Sequence, residues 1–513
     1  MDDIRIETYE RIRKAVSSSV NVPARPVSNE AKLTKARAAL PNPSAKDYLS
    51  EKGYPDTLDH LINDIAPALN GQNRTATYWG GSATGGTLTI AEIAENLVSA
   101  FDQDVSTHLP RESIATEAED AALVMLIDFF HLGKPEEWEG RIFTTGAVAG
   151  NVLGIACGRE KVIQARLPEN SESVADLGIL EACMKAGVKK IQILADGGHS
   201  SLAKAASIVG LGRNAVKVLP YSETEPWRLD IKAVEKELQR EGVASIIAVS
   251  FGDSMTGRFA TTGISDMKKL RELATKHNAW LHVDGALGIY TRALPADKEF
   301  ARLKEYAAGL ELADSITAEL HSVLNVPYDT GVFYTRKAST LYAVCNNAGE
   351  RSLSLADGSV QSPRNIGIEN SRRFRALPVY AVLLCEGRDR LSQMLARLVR
   401  STRAIAKIIA FEQGYVLLPG DSTLGKIRAL VSDMHDIHFT VLFRATDDSL
   451  NDKLADEINN DGVWYVGRTT WEGKPALRIA VASWRINEKV DPGSVGYYLG
   501  VYSMEHKHGP WRR

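Results

Sequence analysis

Chemistry in this chain has few places to sit. The segment FTTGAVAGNVLGIACGRE at 143–160 is rich in small residues and runs straight into a helical pattern. Backbone amides at such a junction point outward with the positive end of the helix dipole, which suits a phosphate. Close helix packing selects the same small residues, so the pattern alone leaves both readings open. A second glycine-rich stretch, GGSATGGT at 80–87, comes near the nucleotide-binding pattern GxxxxGK[ST] but has Gly86 where the lysine belongs, and no clear strand precedes it. Without that ammonium beside the β and γ phosphates an NTPase is not supported, and the stretch reads as a loop lining a pocket behind Tyr78 and Trp79.

Two isolated polar residues stand at the ends of strand-like runs. His199 in ADGGHSSLAKAA follows the run at 191 and precedes a helical pattern, and Asp284 closes the run WLHVDG at 280. The C-terminal ends of strands face the crevice where α/β sheets bind ligands. A carboxylate buried there is costly unless it meets a cation or several donors. A structural histidine and a loop-capping aspartate account for the same residues. Other constellations lead nowhere: His435 and His438 have no third ligand at a useful spacing, His506 and His508 sit in a basic tail, and Ser254 lacks the flanking glycines of a nucleophile elbow. Neither a metal site nor a hydrolase is supported.

The elements that must position these residues follow from periodicity. Between about 190 and 336, β-rich runs at 191, 215, 245, 280, 314 and 331 alternate with helical segments. Asp230 is placed to cap one helix, with Ile231, Val234 and Leu238 on a single face, and Ser265 another, carrying Met267, Leu270 and Leu273. Such alternation marks crossover connections and a mainly parallel sheet. A helical stretch from about Pro378 to Ala410 then gives way to FTVLFRA, VWYVG and LRIAVAS with few helices between, the pattern of a smaller α+β domain. Residues 1–45 show no sustained period and read as an arm. The expected division is an N-terminal segment at 1–75, a large domain at 76–376 and a small one at 377–513.

Composition narrows the class. In 513 residues, 61 Lys and Arg stand against 64 Asp and Glu, a net charge of -3, so no overall field draws nucleic acid or anionic lipid. The four cysteines form no CxxC pair and suit a reducing compartment. The N-terminus is charged from its second residue, unlike a secretory signal, and the longest apolar runs are about a third of the ~20 residues a membrane span needs. The expectation is a soluble, cytoplasmic protein with neither nucleic-acid nor membrane partners.

Taken in order, TTGAVAGN, GGHSSLAKAA, SFGDSMTG, HVDGALG, LHSVLNVPYDTG, RRFRALPV and ALRIAVASW make a specific series, from about Tyr78 to about Asp491. In them the chain resembles the pyridoxal-phosphate-dependent group II decarboxylases, the glutamate and aromatic amino-acid decarboxylase group. The resemblance implies an α/β large domain of the aspartate aminotransferase type (fold type I), with a mixed, mainly parallel sheet, a small C-terminal α+β domain, and a homodimer with active sites at the subunit interface. It implies pyridoxal 5'-phosphate, or pyridoxamine 5'-phosphate, as cofactor and a small amino acid or amine as substrate.

The resemblance also assigns roles. Asp284 matches the carboxylate that pairs with the pyridine nitrogen, His199 the imidazole stacked on the ring, and Ser250 a hydroxyl beside it. Gly146, Ala147 and Val148 match the phosphate loop, although the family often has a hydroxyl residue where Val148 stands. Arg478 matches a guanidinium that binds a substrate carboxylate, and Tyr78 with Trp79 would give an aromatic wall for an apolar side chain. His321 matches the histidine before the Schiff-base lysine, but the lysine itself is replaced. Where the family reads Asp-Pro-His-Lys-Trp-Leu-Asn-Val-Pro-Tyr-Asp, residues 319–329 read ELHSVLNVPYD, with Ser322 in the lysine's place. A hydroxyl forms no Schiff base. The resemblance then implies either a lyase-family enzyme that holds its cofactor without a covalent bond and uses His321 as acid or base, or a silent homologue serving as scaffold or regulatory partner. Asp253, where the family usually has threonine, departs from the pattern too.

Overall fold

The computed structural model describes residues 2–17, 25–46, 48–80, 83–197, 200–253, 255–347, 360–419 and 434–509. After a two-residue strand, β1 (Tyr78–Trp79), seven strands form the larger sheet: β2 (Gly140–Thr144), β3 (Lys190–Ala195), β4 (Val216–Val218), β5 (Val243–Ser250), β6 (Trp280–Asp284), β7 (Ser315–Glu319) and β8 (Gly331–Thr335). Their spatial order is β2-β8-β7-β6-β5-β3-β4, and β8 alone runs against the rest. Each of the six β-rich runs forms one of these strands. β5 and β6 are buried along almost their whole length. Helices cover both faces, so these strands read as continuous apolar runs with no alternation. β2, four of whose five residues are buried, escapes the sequence reading because its end runs into the small-residue stretch at 143–160.

One helix packs closely on this sheet. Ala147–Gln164 starts directly after β2 and lies over β6 and β7. Its glycines form a flat face: a Cβ on Gly150 would meet the Thr317 hydroxyl at 1.8 Å, and one on Gly154 the His282 ring at 2.3 Å.

Helix starts test the local reading. Asp230 caps Ile231–Leu238 as expected, its carboxylate accepting from the amides of Lys232 at 2.9 Å and Ala233 at 3.1 Å. Ser265 does not cap its helix. Ile264–Lys276 begins after Gly263, which places Ser265 inside the first turn, and the Asp266 carboxylate reaches back to the Thr262 amide at 2.8 Å. An acid in the first turn also meets the favourable end of the dipole, so it can take over this role. The segment read as an aperiodic arm holds two helices, Asp2–Ser17 and Glu30–Ala39, with Ile6, Tyr9 and Ile12 of the first exposed.

The second sheet has the order β1-β11-β12-β10-β9, with β9 (Tyr415–Leu418), β10 (Thr440–Ala445), β11 (Tyr465–Trp471) and β12 (Lys474–Ala480). The long helix Ala376–Phe411 leads into it and is interrupted at Gly387, whose φ of 62° and ψ of 178° are not helical. β1 joins this sheet, not the larger one: it pairs in parallel with β11, Tyr78 beside Tyr465 and Trp79 beside Val466. Among the described residues no helix is long and apolar enough to cross a membrane.

Candidate active site

Sheet register builds the floor of the site. Ser250, Asp284 and Thr317 are neighbours across β5, β6 and β7 at their C-terminal ends, where parallel sheets open a ligand crevice. A cavity of about 120 Å³ lies there, lined by Ser250 and Asp284 from the strand ends, Ala147 and Val148 from the start of the Ala147–Gln164 helix, Glu319 from β7 and Arg478 from β12. The smaller sheet thus contributes the guanidinium and the larger one the carboxylates.

Asp284 is held by a continuous chain of donors. Trp280 Nε1 donates to Ser315 Oγ at 3.0 Å, Ser315 Oγ lies 2.8 Å from His282 Nδ1, His282 Nε2 lies 2.8 Å from Asn151 Oδ1, and Asn151 Nδ2 donates to Asp284 Oδ2 at 2.7 Å. The direction is set from the acid end. A carboxylate only accepts, so Asn151 turns its amide to Asp284 and its carbonyl to His282; His282 then carries its proton on Nε2 and accepts from Ser315. Burial pushes the His282 imidazole down to about 4, against a smaller opposing pull from Asp284, so the ring stays neutral and the polarity of the chain is kept. Asp284 Oδ1 takes the Ala286 amide at 3.1 Å. The Ser250 hydroxyl beside it is buried with no hydrogen-bond partner among the described residues.

The opposite wall is built differently. Gly146, with a φ of 148°, precedes the Ala147–Gln164 helix, and no side chain caps that helix from the residue before it. Glu319 closes this end. A Cβ on Gly146 would lie 3.6 Å from Glu319 Oε2 and 3.4 Å from His321 Cε1. Burial would push the Glu319 carboxyl up, but hydrogen bonds from His321, Ser322 and the Ala147 amide, with the His321 charge, bring it below the usual carboxylate range. Ser322 Oγ donates to Glu319 Oε1, and His321 Nε2 lies 3.3 Å from the same oxygen. The His321 ring packs 4.2 Å from that of Tyr328, and its Nδ1 sits 2.9 Å from the Thr330 carbonyl oxygen. Burial lowers Arg478, and the nearby Asp253 carboxylate works against that shift.

Of the residues expected at the site, the structure brings Ala147, Val148, Ser250, Asp284 and Arg478 to one cavity, with Gly146 at its edge. His321 and Ser322 stand behind Glu319. His199 lies outside the described residues. Tyr78 and Trp79 do not line this cavity: Tyr78 stacks on Tyr465 with ring centroids 4.9 Å apart, and Trp79, 1% exposed, packs edge-on against Trp464. The sequence reading passed over Asn151, His282, Ser315 and Glu319. His282 was reachable, since it shares a strand face with Asp284 two residues on, and Asn151 lies one helical turn beyond Ala147.

An electron-poor heteroaromatic ring fits the floor of this cavity. The buried Asp284 carboxylate is aimed at it and the orphaned Ser250 hydroxyl offers a further bond; among the described residues no lysine lines it. Fold and floor together define a fold type I, pyridoxal-phosphate-type large domain joined to a small α+β sheet. Residues 54–428 match the family model of the pyridoxal-dependent decarboxylase conserved domain. The chain is 26% identical over 410 residues to an L-2,4-diaminobutyrate decarboxylase of Acinetobacter baumannii, covering 77% of this chain and 74% of that one. Among solved structures it resembles the glutamate decarboxylase domain of a diaminobutyrate-pyruvate transaminase and L-2,4-diaminobutyrate decarboxylase from Vibrio parahaemolyticus, at 22% identity and a TM-score of 0.75 over 98% of this chain and 95% of that one. It also resembles Oryza sativa TDC with PLP and tryptamine, at 18% identity and a TM-score of 0.78 over 99% and 98% of the two chains. The chain belongs to the pyridoxal-dependent decarboxylase family, whose cofactor is pyridoxal 5'-phosphate.

Proposed function

We propose that this protein binds pyridoxal 5'-phosphate or pyridoxamine 5'-phosphate without a covalent bond and acts on a small amino acid or amine, as a cytoplasmic homodimer with decarboxylase-like chemistry altered at Ser322. The observation that carries this reading is the donor chain from Trp280 to Asp284: four side chains on β6, β7 and the Ala147–Gln164 helix hold one buried carboxylate at the cavity floor. A bound cofactor would supply a ring that withdraws electrons from the substrate carbon while its nitrogen stays protonated against Asp284. The chain's own residues do the rest. With the cofactor bound, Ser250 would bond the ring edge, the Ala147 and Val148 amides would face the phosphate, and Arg478 would orient a substrate carboxylate. His321, whose Nε2 lies 3.3 Å from Glu319 Oε1, is an imidazole that could hold or move a proton at Nε2.

Three carboxylates, Asp253, Asp284 and Glu319, line the cavity against the single Arg478 guanidinium, which favours a substrate bearing a free amine. The four cysteines are all free, in keeping with a reducing compartment. Calorimetric titration with pyridoxal 5'-phosphate and with pyridoxamine 5'-phosphate tests the reading; saturable binding of either supports it, and no heat from both overturns it.

A second reading, a silent homologue acting as scaffold or regulatory partner, is favoured by one feature: Ser322 is fully buried and spends its hydroxyl on Glu319. It requires a complex with an active decarboxylase and a changed rate in that partner, and co-purification followed by rate measurement decides it.

A further inference from the structure

The phosphate end of the cavity holds an anion of the chain's own. The Ala147–Gln164 helix begins at Gly146 without a capping side chain, so its first amides are offered to whatever lies in front of them. What lies there is Glu319, brought from the end of β7. Its Oε2 stands 3.6 Å from the Cβ that Gly146 lacks, and Glu319 shares the cavity wall with Ala147 and Val148 of the helix's first turn. Its other oxygen is taken by Ser322 Oγ and approached by His321 Nε2 at 3.3 Å. A buried carboxylate with this set of donors is arranged as a bound phosphate would be. Asp253 and Asp284 also line the cavity, with Arg478 as its one cation among the described residues, so an incoming phosphate meets a carboxylate in front of the helix start and more carboxylates than cations around it.

We propose that Glu319 is a specificity-determining residue that competes with the cofactor's phosphate for the amide at the start of the Ala147–Gln164 helix, and so weakens phosphorylated ligands relative to unphosphorylated ones of the same ring. The inference rests on the reading of the cavity as a cofactor site. It gives the Glu319–Ser322 pair a joint function: the serine hydroxyl holds the carboxylate over the loop.

The test uses the full chain and two probes that differ only in the phosphate, 4-deoxypyridoxine and its 5'-phosphate, neither of which has an aldehyde to react with stray amines. Binding is measured by calorimetry for wild type, Glu319→Gln, Glu319→Ala and Glu319→Asp, each first shown to keep a cooperative melting transition. Gln and Ala are expected to bind the 5'-phosphate at least about tenfold tighter than wild type with no matching gain for the unphosphorylated probe, while Asp, which keeps the charge, stays near wild type. Ala carries the same expectation should Gln fail to fold. An unchanged affinity for the 5'-phosphate in both variants overturns the inference and leaves the cofactor site standing, as does an equal gain for both probes. Failure of every protein to bind either probe removes the cofactor site and the inference with it.

Discussion

Ser322 sits at the centre of the residue-scale account. Fully buried, it is bonded to Glu319, so the position faces the start of the Ala147–Gln164 helix through that carboxylate. A lysine placed there would find an acid waiting for its ammonium, which makes the burial tolerable, and its longer reach would carry the amine past Glu319 toward the cofactor aldehyde. Ser322→Lys, incubated with pyridoxal 5'-phosphate and then reduced with borohydride, is expected to gain the mass of one cofactor on the peptide carrying residue 322. The wild-type peptide is expected to gain none, and peptide mass spectrometry reads the difference. An unlabelled variant peptide, in a protein that still binds the cofactor, would show that position 322 does not reach the reactive carbon.

At the scale of elements, the Ala147–Gln164 helix does two jobs with one face. Its small residues let it lie close enough on β6 and β7 for Asn151 to bridge His282 and Asp284, and its first turn borders the cavity. Gly154→Ala would drive a methyl into the His282 ring, 2.3 Å away, and is expected to cost about 1–3 kcal/mol. Gly493→Ala, exposed in the Asp491–His508 helix with nothing within 4 Å of the new methyl, is expected to be neutral or stabilising by up to about 1 kcal/mol. Urea unfolding of the two variants gives the comparison.

The same helix shows how far sequence reasoning reaches. Its small residues allowed either a phosphate loop or close packing; the structure shows the close packing, and places Ala147 and Val148 in the cavity wall. Asp284 was legible because a lone acid ends an apolar strand, and Asp230 because a cap acts within three residues of itself. Glu319 was not, because its bonds to Ser322 and His321 are local but the helix start that it faces lies more than 150 residues earlier. Ser265 misled for a related reason: hydroxyl and carboxylate stand side by side at 265 and 266, and only the approach of Thr262 decides which is used. Tyr78 and Trp79 pair with a strand near the other end of the chain, so residue type showed an aromatic pair without showing which sheet would own it.

For the molecule as a whole, the buried histidines set the response to acid. Burial pushes His282 down to about 4 and, against no acid partner, His438 down to about 3. Both are neutral in the fold across a range in which an unfolded histidine, with a pKa of about 6.5, takes a proton. Unfolding therefore binds protons below about 6.5, and stability that is complete above it is lost as pH falls through about 4, by an amount on the order of a few kcal/mol. The apparent Tm, followed from pH 7 to pH 4, is expected to decline; in His282→Gln, which still offers Asn151 an N–H, the decline is expected to be shallower, with His438 supplying the remainder. A slope unchanged by the substitution would remove His282 from this role.

The pairing of β1 with β11 has a consequence for how the chain is made. Thr77 Oγ1 bonds the Val463 carbonyl oxygen across 386 residues at 2.9 Å, the Thr77 carbonyl takes the Tyr465 amide at 3.0 Å, and Arg25 Nε reaches the Gly462 carbonyl at 3.5 Å. During synthesis at ~5–20 residues per second, Trp79 therefore emerges from the ribosome roughly 20–80 s before the strand that buries it. Nascent chains arrested before Val463 are expected to be cut by protease near Trp79, and chains arrested well after β12 to be protected there. The smaller sheet is the last part of this protein to close, and it waits for its first strand's partner through most of translation.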